Sequence, residues 1–123
     1  MVLVDTSVWI DHLRSDEDQL IDLLNHAQVL IHPMVIGELA CGNLQNRQQI
    51  LALLKRLPLA VEATHDEVFH CLDKNKLMGK GADFVDMHLL ASTLLSPNTV
   101  LWTRDRRLNN LAKNLKVDWK TAH

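Results

Sequence analysis

Short strand-like runs alternate with longer helical segments along the chain, and this alternation constrains the fold more than any other feature. The runs stand at 2–4, 29–31, 59–61, 99–102 and 117–119. The segments between them carry apolar residues at helical spacing. Strands that are apolar on both faces are typical of a parallel sheet covered by helices. We therefore predict an α/β fold, a three-layer α/β/α sandwich with a short, mostly parallel sheet of roughly five strands.

The predicted helices begin and end at recognisable residues. Pro33 suits the first turn of one helix, and Gly79 ends another. The predicted helices span 8–13, 16–24, 33–41, 46–57, 64–78, 83–95 and 104–115. Because no repeat or linker interrupts the series, we predict a single domain over residues 1–123.

Composition excludes several classes of protein. The 123 residues are 47% hydrophobic and 23% charged, which is the range of an ordinary globular domain. The longest apolar runs are too short to span a membrane, and the segment MVLVDTS lacks the basic region of a signal peptide. Cys41 and Cys71 have no metal-type spacing, and we interpret them as buried free thiols. We expect a cytoplasmic protein without a membrane segment.

The net charge of −2 conceals an uneven distribution. Residues 1–50 carry a net charge of −5, whereas residues 100–123 carry +4. The basic end is either a set of solvated helix faces or a rim that binds phosphates. In the second interpretation, Arg104, Arg106 and Arg107 are candidates for contact with RNA phosphates.

Four carboxylates lie at positions that suggest a role beyond solvation. Asp5 directly follows the first strand and Asp105 follows the fourth by two residues, so both lie at the carboxyl edge of the sheet, where ligands bind. Glu38 and Asp86 lie inside apolar helical segments, where an isolated buried carboxylate is too costly. Each acid also has a structural interpretation as a helix cap, a first-turn residue or a solvent-facing residue. Asp83 is best interpreted as a cap.

Convergence of these acids would require a cation. Two carboxylates ~5 Å apart repel by about 3 kcal/mol at an effective dielectric constant near 20. A divalent cation that prefers oxygen ligands, Mg²⁺ or Mn²⁺, would offset this repulsion. Such a cation beside a basic rim suits phosphodiester cleavage, because it activates water and offsets charge on the phosphate.

Four segments resemble, in order, the motifs of the PIN-domain ribonucleases, and more closely those of the VapC-type toxins of bacterial toxin–antitoxin pairs. They are residues 4–10 (VDTSVWI), 38–42 (ELACG), 81–92 (GADFVDMHLLAS) and 101–108 (LWTRDRRL). The resemblance runs from residue 2 to about residue 108, which is most of the chain.

The resemblance implies a site, a cofactor and partners. The implied catalytic and metal-binding residues are Asp5, Glu38, Asp86 and Asp105, with Mg²⁺ as cofactor and Mn²⁺ able to substitute. The implied supporting hydroxyls are those of Thr6, Ser7 and Thr103. The implied function is that of an endoribonuclease toxin that acts on RNA, forms a homodimer and binds a cognate antitoxin. Such an antitoxin would place a basic side chain among the acids.

Alternatives from other classes remain open. One is a catalytically inert PIN-like module for protein interaction. Another is a ribonuclease that uses two of the seven histidines as acid and base and leaves a cyclic phosphate. A third is an aspartyl phosphatase, which requires an acid at the position of Ser7.

Two further expectations concern stability and assembly. Because Asp5→Asn removes one charge from a repelling cluster, we expect it to abolish cleavage and to leave the stability unchanged or higher. The apolar helix at 49–57 is either buried on two sides or, together with Leu20–Leu24, forms a homodimer surface or an antitoxin groove.

Overall fold

The computed structural model describes residues 1–120, so residues 121–123 of the predicted domain lie outside the described residues. The strands are β1 (Val2–Val4), β2 (Val29–Leu30) and β3 (Val100–Trp102). The helices are α1 (Thr6–Arg14), α2 (Asp18–Asn25), α3 (Pro33–Ala40), α4 (Arg47–Leu54), α5 (His65–Asn75), α6 (Phe84–Leu95) and α7 (Arg106–Asn114). All seven predicted helices are present.

Local signals explain where the helices begin and end. Pro33 occupies the first turn of α3, and Thr64 with Glu67 forms a capping box at the start of α5. Helices α4 and α5 end three residues before the predicted positions 57 and 78. In α5 the cause is Lys76, which adopts the left-handed conformation that terminates helices.

The sheet is parallel throughout, in the order β2-β1-β3. Within residues 1–120 it has three strands rather than the roughly five predicted. The outer segments at 59–61 and 117–119 each form a single parallel bridge, between Ile31 and Leu59 and between Leu101 and Asp118. On one side the pairing stops because the Val61 N–H donates to the Ser96 hydroxyl of α6 instead of to the sheet.

Two groups of helices cover the sheet. Helix α3 packs against α1 and α4, and α6 packs against α5 and α7. The chain moves outward from β1 to β2 and then returns to β3 on the other side of β1. Neighbouring strand residues such as Leu3 and Val4 point to opposite faces and are both fully buried, so helices cover both faces of the sheet and the fold has three layers. The strand order reverses between β1 and β3, and a ligand crevice in such a sheet opens at the carboxyl ends of those two strands.

The core receives buried apolar side chains from all three strands and all seven helices. The strand residues Leu3, Val4 and Leu101 are completely buried because helices cover both faces of the sheet. Within residues 1–120, none of the helices combines the length and the apolar character needed to cross a bilayer.

Both cysteines are free, but the interpretation of both as buried thiols is wrong. Cys41 is exposed and Cys71 is half-buried. Cys41 forms the C-cap of α3, immediately before the exposed Gly42, so its side chain lies outside the core.

Candidate active site

Asp5 is fixed at the point where β1 becomes α1. Its Oδ1 accepts a hydrogen bond from the Thr6 N–H (2.8 Å), and its Oδ2 accepts from the hydroxyls of Ser7 (3.0 Å) and Thr103 (2.7 Å). Its own N–H donates to the Trp102 carbonyl of β3 (2.9 Å). Only 6% of the residue is exposed. The end of β3 and the first residues of α1 therefore together determine where this carboxylate lies.

The same two hydroxyls tie the end of β3 to the start of α1. Thr103 Oγ1 accepts from the Asp105 N–H (3.0 Å), and Ser7 Oγ accepts from the Arg104 N–H (3.0 Å). Asp105 then caps α7, because its Oδ1 accepts from the Leu108 N–H (2.9 Å). Asp5 and Asp105 are thus linked through Thr103. We call Asp5, Ser7, Thr103 and Asp105 the strand-end network.

Asp86 reaches the same edge from α6. Its Oδ2 accepts from the Asp83 N–H (3.2 Å), and its own N–H donates to Asp83 Oδ1 (2.8 Å), which completes a capping box. Burial raises the pKa of Asp86 to about 6, and the carboxylates of Asp83, Asp5 and Asp105 add to the rise against the opposing Asp83 hydrogen bond. Asp86 therefore lies close enough to Asp5 and Asp105 for their charges to affect it.

Glu38 joins the site from α3. It lies on the exposed side of α3, and its Oε1 accepts a hydrogen bond from the Thr6 hydroxyl (2.6 Å). Because Thr6 follows Asp5 directly, this bond places Glu38 beside the strand-end network. The structural interpretations also hold in part, since Asp5 and Asp105 are helix caps and Glu38 faces solvent.

The electrostatics of this edge favour a bound cation. Within residues 1–120, no Lys or Arg nitrogen lies within 4.0 Å of a carboxylate oxygen of these four acids. In the same range, no three Asp, Glu, His or Cys side chains are close enough as they stand to form a ligand set. The donors that face the edge are carboxylate and hydroxyl oxygens, the chemistry that suits Mg²⁺ or Mn²⁺. That these acids bind a metal stays a prediction.

The three predicted phosphate contacts differ from one another. The Arg104 guanidinium pairs with Asp11 and Glu17, both at 2.5 Å, and hydrogen bonds to these carboxylates raise its pKa. Arg106 and Arg107 are exposed on the first turn of α7. Local residue patterns could not predict the Arg104 pairing, because its partners are 93 and 87 residues away along the chain.

The described histidines do not enter the acid network. Within residues 1–120, no histidine nitrogen hydrogen-bonds to Asp5, Glu38, Asp86 or Asp105. His65 and His88 have ring centroids 5.1 Å apart, but burial lowers the pKa of His88. The predicted alternative with a histidine acid and base therefore has no geometric support at this edge.

A groove opens beside Glu38. It has a volume of about 640 Å³ and lies between α1, α3 and α4. Its lining residues include Ile10, Leu13, Glu38, Leu39, Leu44 and Ile50. No residue of the predicted surface segment Leu20–Leu24 lines this groove. Leu20 is fully buried, whereas Leu53 of α4 is 59% exposed.

This chain is similar to known proteins over the region that carries the site. The model of the PIN domain matches residues 2–114. The chain is 45% identical over 108 residues to Ribonuclease VapC32 of Mycobacterium tuberculosis, in strain CDC 1551 / Oshkosh and in strain ATCC 25618 / H37Rv. Each alignment covers 88% of this chain and 87% of the relative. All four acids fall inside the matched family segment.

Proposed function

Because this chain belongs to the PIN-domain family, in its VapC-type branch, we propose that it is a metal-dependent endoribonuclease and the toxin of a type II toxin–antitoxin pair. The observation that carries the proposal is the hydrogen-bonded linkage of Asp5 and Asp105 through Thr103 at the carboxyl ends of β1 and β3, which Glu38 joins through Thr6. The name of the relative, Ribonuclease VapC32, supports RNA as the substrate class.

The residues that would hold the metal are Asp5, Glu38, Asp86 and Asp105. Their oxygen donors fit Mg²⁺, and Mn²⁺ has the same preference. When bound, such an ion lowers the pKa of a water nucleophile and offsets the charge of the scissile phosphate. The raised pKa of Asp86 supports this assignment, because a cation would relieve the repulsion that contributes to it.

The chain's own residues prepare the site by fixing the carboxylates. The hydroxyls of Ser7 and Thr103 both donate to Asp5 Oδ2, so they set its orientation. The hydroxyl of Thr6 holds Glu38 at the same edge. Helices α1, α6 and α7 all begin beside this edge, and the positive ends of their dipoles moderate the repulsion between the acids.

The partner surface that we infer is the groove between α1, α3 and α4. Glu38 lines both this groove and the acid edge, so a segment bound in the groove can reach the acids. An antitoxin with an apolar face followed by a basic side chain fits this surface, since the apolar part would cover the exposed Ile10 and the partly buried Ile50.

We also infer that residues 1–123 form one domain that acts in the cytoplasm as a homodimer. The family match over residues 2–114 supports the single domain. The exposed apolar side chains of α4, such as Leu53, support self-association. Sedimentation at micromolar concentration tests the dimer, and a monomer under those conditions would contradict it.

The product ends test the reaction. Purified protein incubated with total RNA and Mg²⁺ should yield products with a 5′-phosphate and a 3′-hydroxyl, because water rather than the 2′-hydroxyl attacks. EDTA should stop cleavage, and Mn²⁺ should restore it. The readout is ligation by an RNA ligase that requires a 5′-phosphate. Cyclic phosphate ends formed in EDTA would overturn the proposed function in favour of histidine catalysis.

A matched pair of variants connects the activity to the acids. Asp5→Asn should abolish cleavage, whereas Asp73→Asn should cleave like the wild type, because Asp73 is exposed on α5 outside the site. Both substitutions change the net charge equally. Equal activity in the two variants would exclude the acid cluster as the catalytic centre.

A further inference from the structure

Arg107 and Gly81 form a close contact. The Arg107 side chain lies across Gly81, so that a Cβ added there would meet Arg107 Cδ at 2.7 Å. Gly81 also has a φ of +87°, which L side chains rarely adopt. The Gly81 carbonyl lies 3.4 Å from one guanidinium nitrogen of Arg107. Position 81 therefore favours glycine for its backbone conformation, and a side chain there would displace the arginine from its present place.

This contact joins the two segments that carry Asp86 and Asp105. Gly81 lies two residues before Asp83, the cap of α6, and Arg107 lies two residues after Asp105, the cap of α7. The guanidinium is thus held where the two segments meet, at the edge that carries the acids.

Arg107 also differs from Arg104 in its remaining hydrogen-bonding capacity. Two carboxylates engage Arg104, whereas no carboxylate oxygen within residues 1–120 lies within 4.0 Å of Arg107. The single long contact with the Gly81 carbonyl leaves most of the five N–H donors of Arg107 available. A positioned guanidinium without an acidic partner is suited to bidentate binding of a phosphate.

We propose that Arg107, positioned by Gly81, binds a backbone phosphate of the RNA strand adjacent to the scissile phosphate. The inference rests on the proposed ribonuclease function. Four acids repel an RNA strand, so a fixed cation beside them supplies both attraction and register. Because the contact is to phosphate, it positions the strand without selecting its sequence.

The test measures binding of a short fluorescein-labelled single-stranded RNA by anisotropy, in EDTA, over a series of salt concentrations. Arg107→Ala should weaken binding about tenfold, the effect of losing one charge-assisted contact. It should also reduce the slope of log K against log salt by about 0.7, the value for one phosphate on a single strand. Lys113→Ala is the matched control, because it removes the same charge from the exposed last turn of α7.

Gly81→Ala supplies an independent variant that keeps the arginine but displaces it. It should weaken binding about as much as Arg107→Ala, and the double variant should bind no more weakly than Arg107→Ala alone. Thermal melts test whether Gly81→Ala is folded. Where it is not, the pair Arg107→Ala and Lys113→Ala decides the question, since both side chains are exposed.

The outcomes separate the two proposals. Suppose that the wild type cleaves RNA with Mg²⁺. The assignment of Arg107 is then overturned if Arg107→Ala keeps the affinity and salt slope of the wild type, or if Arg107→Ala and Lys113→Ala lose equal affinity. Absence of RNA cleavage by the wild type with either Mg²⁺ or Mn²⁺ would instead overturn the proposed function.

Discussion

Asp5 and Asp86 lie at the same edge of the sheet, but distant parts of the chain hold Asp5 whereas immediate neighbours hold Asp86. Asp5 accepts hydrogen bonds from Thr103, 98 residues away, and donates to the backbone of β3. Asp86 is held by a capping box with Asp83, three residues earlier, at the end of an exposed loop.

This difference shows how the fold holds several like charges at one edge of the sheet. The strand-end network is bound into the sheet, so its carboxylates cannot move apart to reduce repulsion. The α6 side is half-buried and locally held, and the pKa of Asp86 is raised there mainly by burial, with a smaller contribution from the neighbouring carboxylates. Substitutions on the two sides should therefore change stability by different amounts and with different signs.

The largest loss of stability is expected for Thr103→Val. This substitution keeps the shape but removes the hydroxyl that donates to Asp5 and accepts from the Asp105 N–H. Leaving these groups without that partner should lower the free energy of unfolding by about 2 kcal/mol. Urea denaturation measures the loss, and cleavage should fall as well because Asp5 and Asp105 are no longer linked.

Thr99→Val is the control for this prediction. Thr99 is equally buried, and its hydroxyl donates to the Pro97 carbonyl away from the acids. It should lose about 1 kcal/mol of stability and keep the cleavage rate of the wild type. If both threonine variants lost activity in proportion to stability, the hydroxyl of Thr103 would have no specific role in the site.

Asp5→Asn should have the second-largest effect, a loss of about 1.5 kcal/mol in the free energy of unfolding without metal. The carboxylate accepts from three donors on its two oxygens, whereas the amide offers one oxygen and turns its own N–H groups toward a donor. This reverses the expectation from sequence that relief of repulsion would dominate. Thermal melts in EDTA measure the difference, and an unchanged or higher melting temperature would restore the earlier expectation.

Arg104→Ala should lower the free energy of unfolding by about 1 kcal/mol, because it breaks two partly exposed ion pairs. The loss should shrink at high salt, which screens such pairs. Arg104→Lys should recover about half of it, since an ammonium cannot engage Asp11 and Glu17 in the same planar geometry. A loss that does not depend on salt would contradict an electrostatic origin.

Asp86→Asn should have a smaller effect of opposite sign. The amide oxygen can still accept from the Asp83 N–H, so the capping box is kept. At pH 7 the folded state carries an ionised group whose pKa is raised to about 6, so removal of the charge should raise stability. After allowance for solvent screening, the gain is about 0.5 kcal/mol, measurable by urea denaturation. A loss above about 1 kcal/mol would show that Asp86 is held as firmly as Asp5.

The smallest expected effect is a change in pH dependence through His32, which joins α3 to α6. Its Nδ1 accepts from the Met34 N–H, and its Nε2 contacts the Ser92 hydroxyl (3.2 Å). Burial lowers its pKa, with a smaller lowering by His88 and an opposing effect of Glu62. Below the unfolded pKa near 6.5, the unfolded state binds a proton that the folded state resists, so stability should fall as the pH falls.

Urea denaturation between pH 7 and pH 5 tests the His32 prediction. His32→Asn keeps a capping side chain but does not titrate, so its stability should depend less steeply on pH than that of the wild type. The matched control is His26→Asn, because His26 is exposed on the surface beside Asp22. Equal slopes in the wild type and in His32→Asn would exclude His32 as the source of the pH dependence.

Local patterns predicted most of the fold. All seven helices are present, with Asp83 as the N-cap of α6 and Pro33 in the first turn of α3, as their chemistry predicts. The outer strands were the weaker part of the prediction. Apolar pattern alone cannot show that Val61 leaves the sheet to bond with Ser96, because that bond depends on a side chain 35 residues away.

The sequence by itself determined the helices, the parallel sheet class, and the positions of Asp5 directly after one buried strand and of Asp105 shortly after another, because spacing and capping act over a few residues. Only the tertiary structure decided the pairing of Thr103 with Asp5, of Arg104 with Asp11 and Glu17, and of Arg107 with Gly81. These contacts join residues that are 26 to 98 positions apart. Their partners are chosen by strand order and crossover direction, which residue patterns within one segment do not encode.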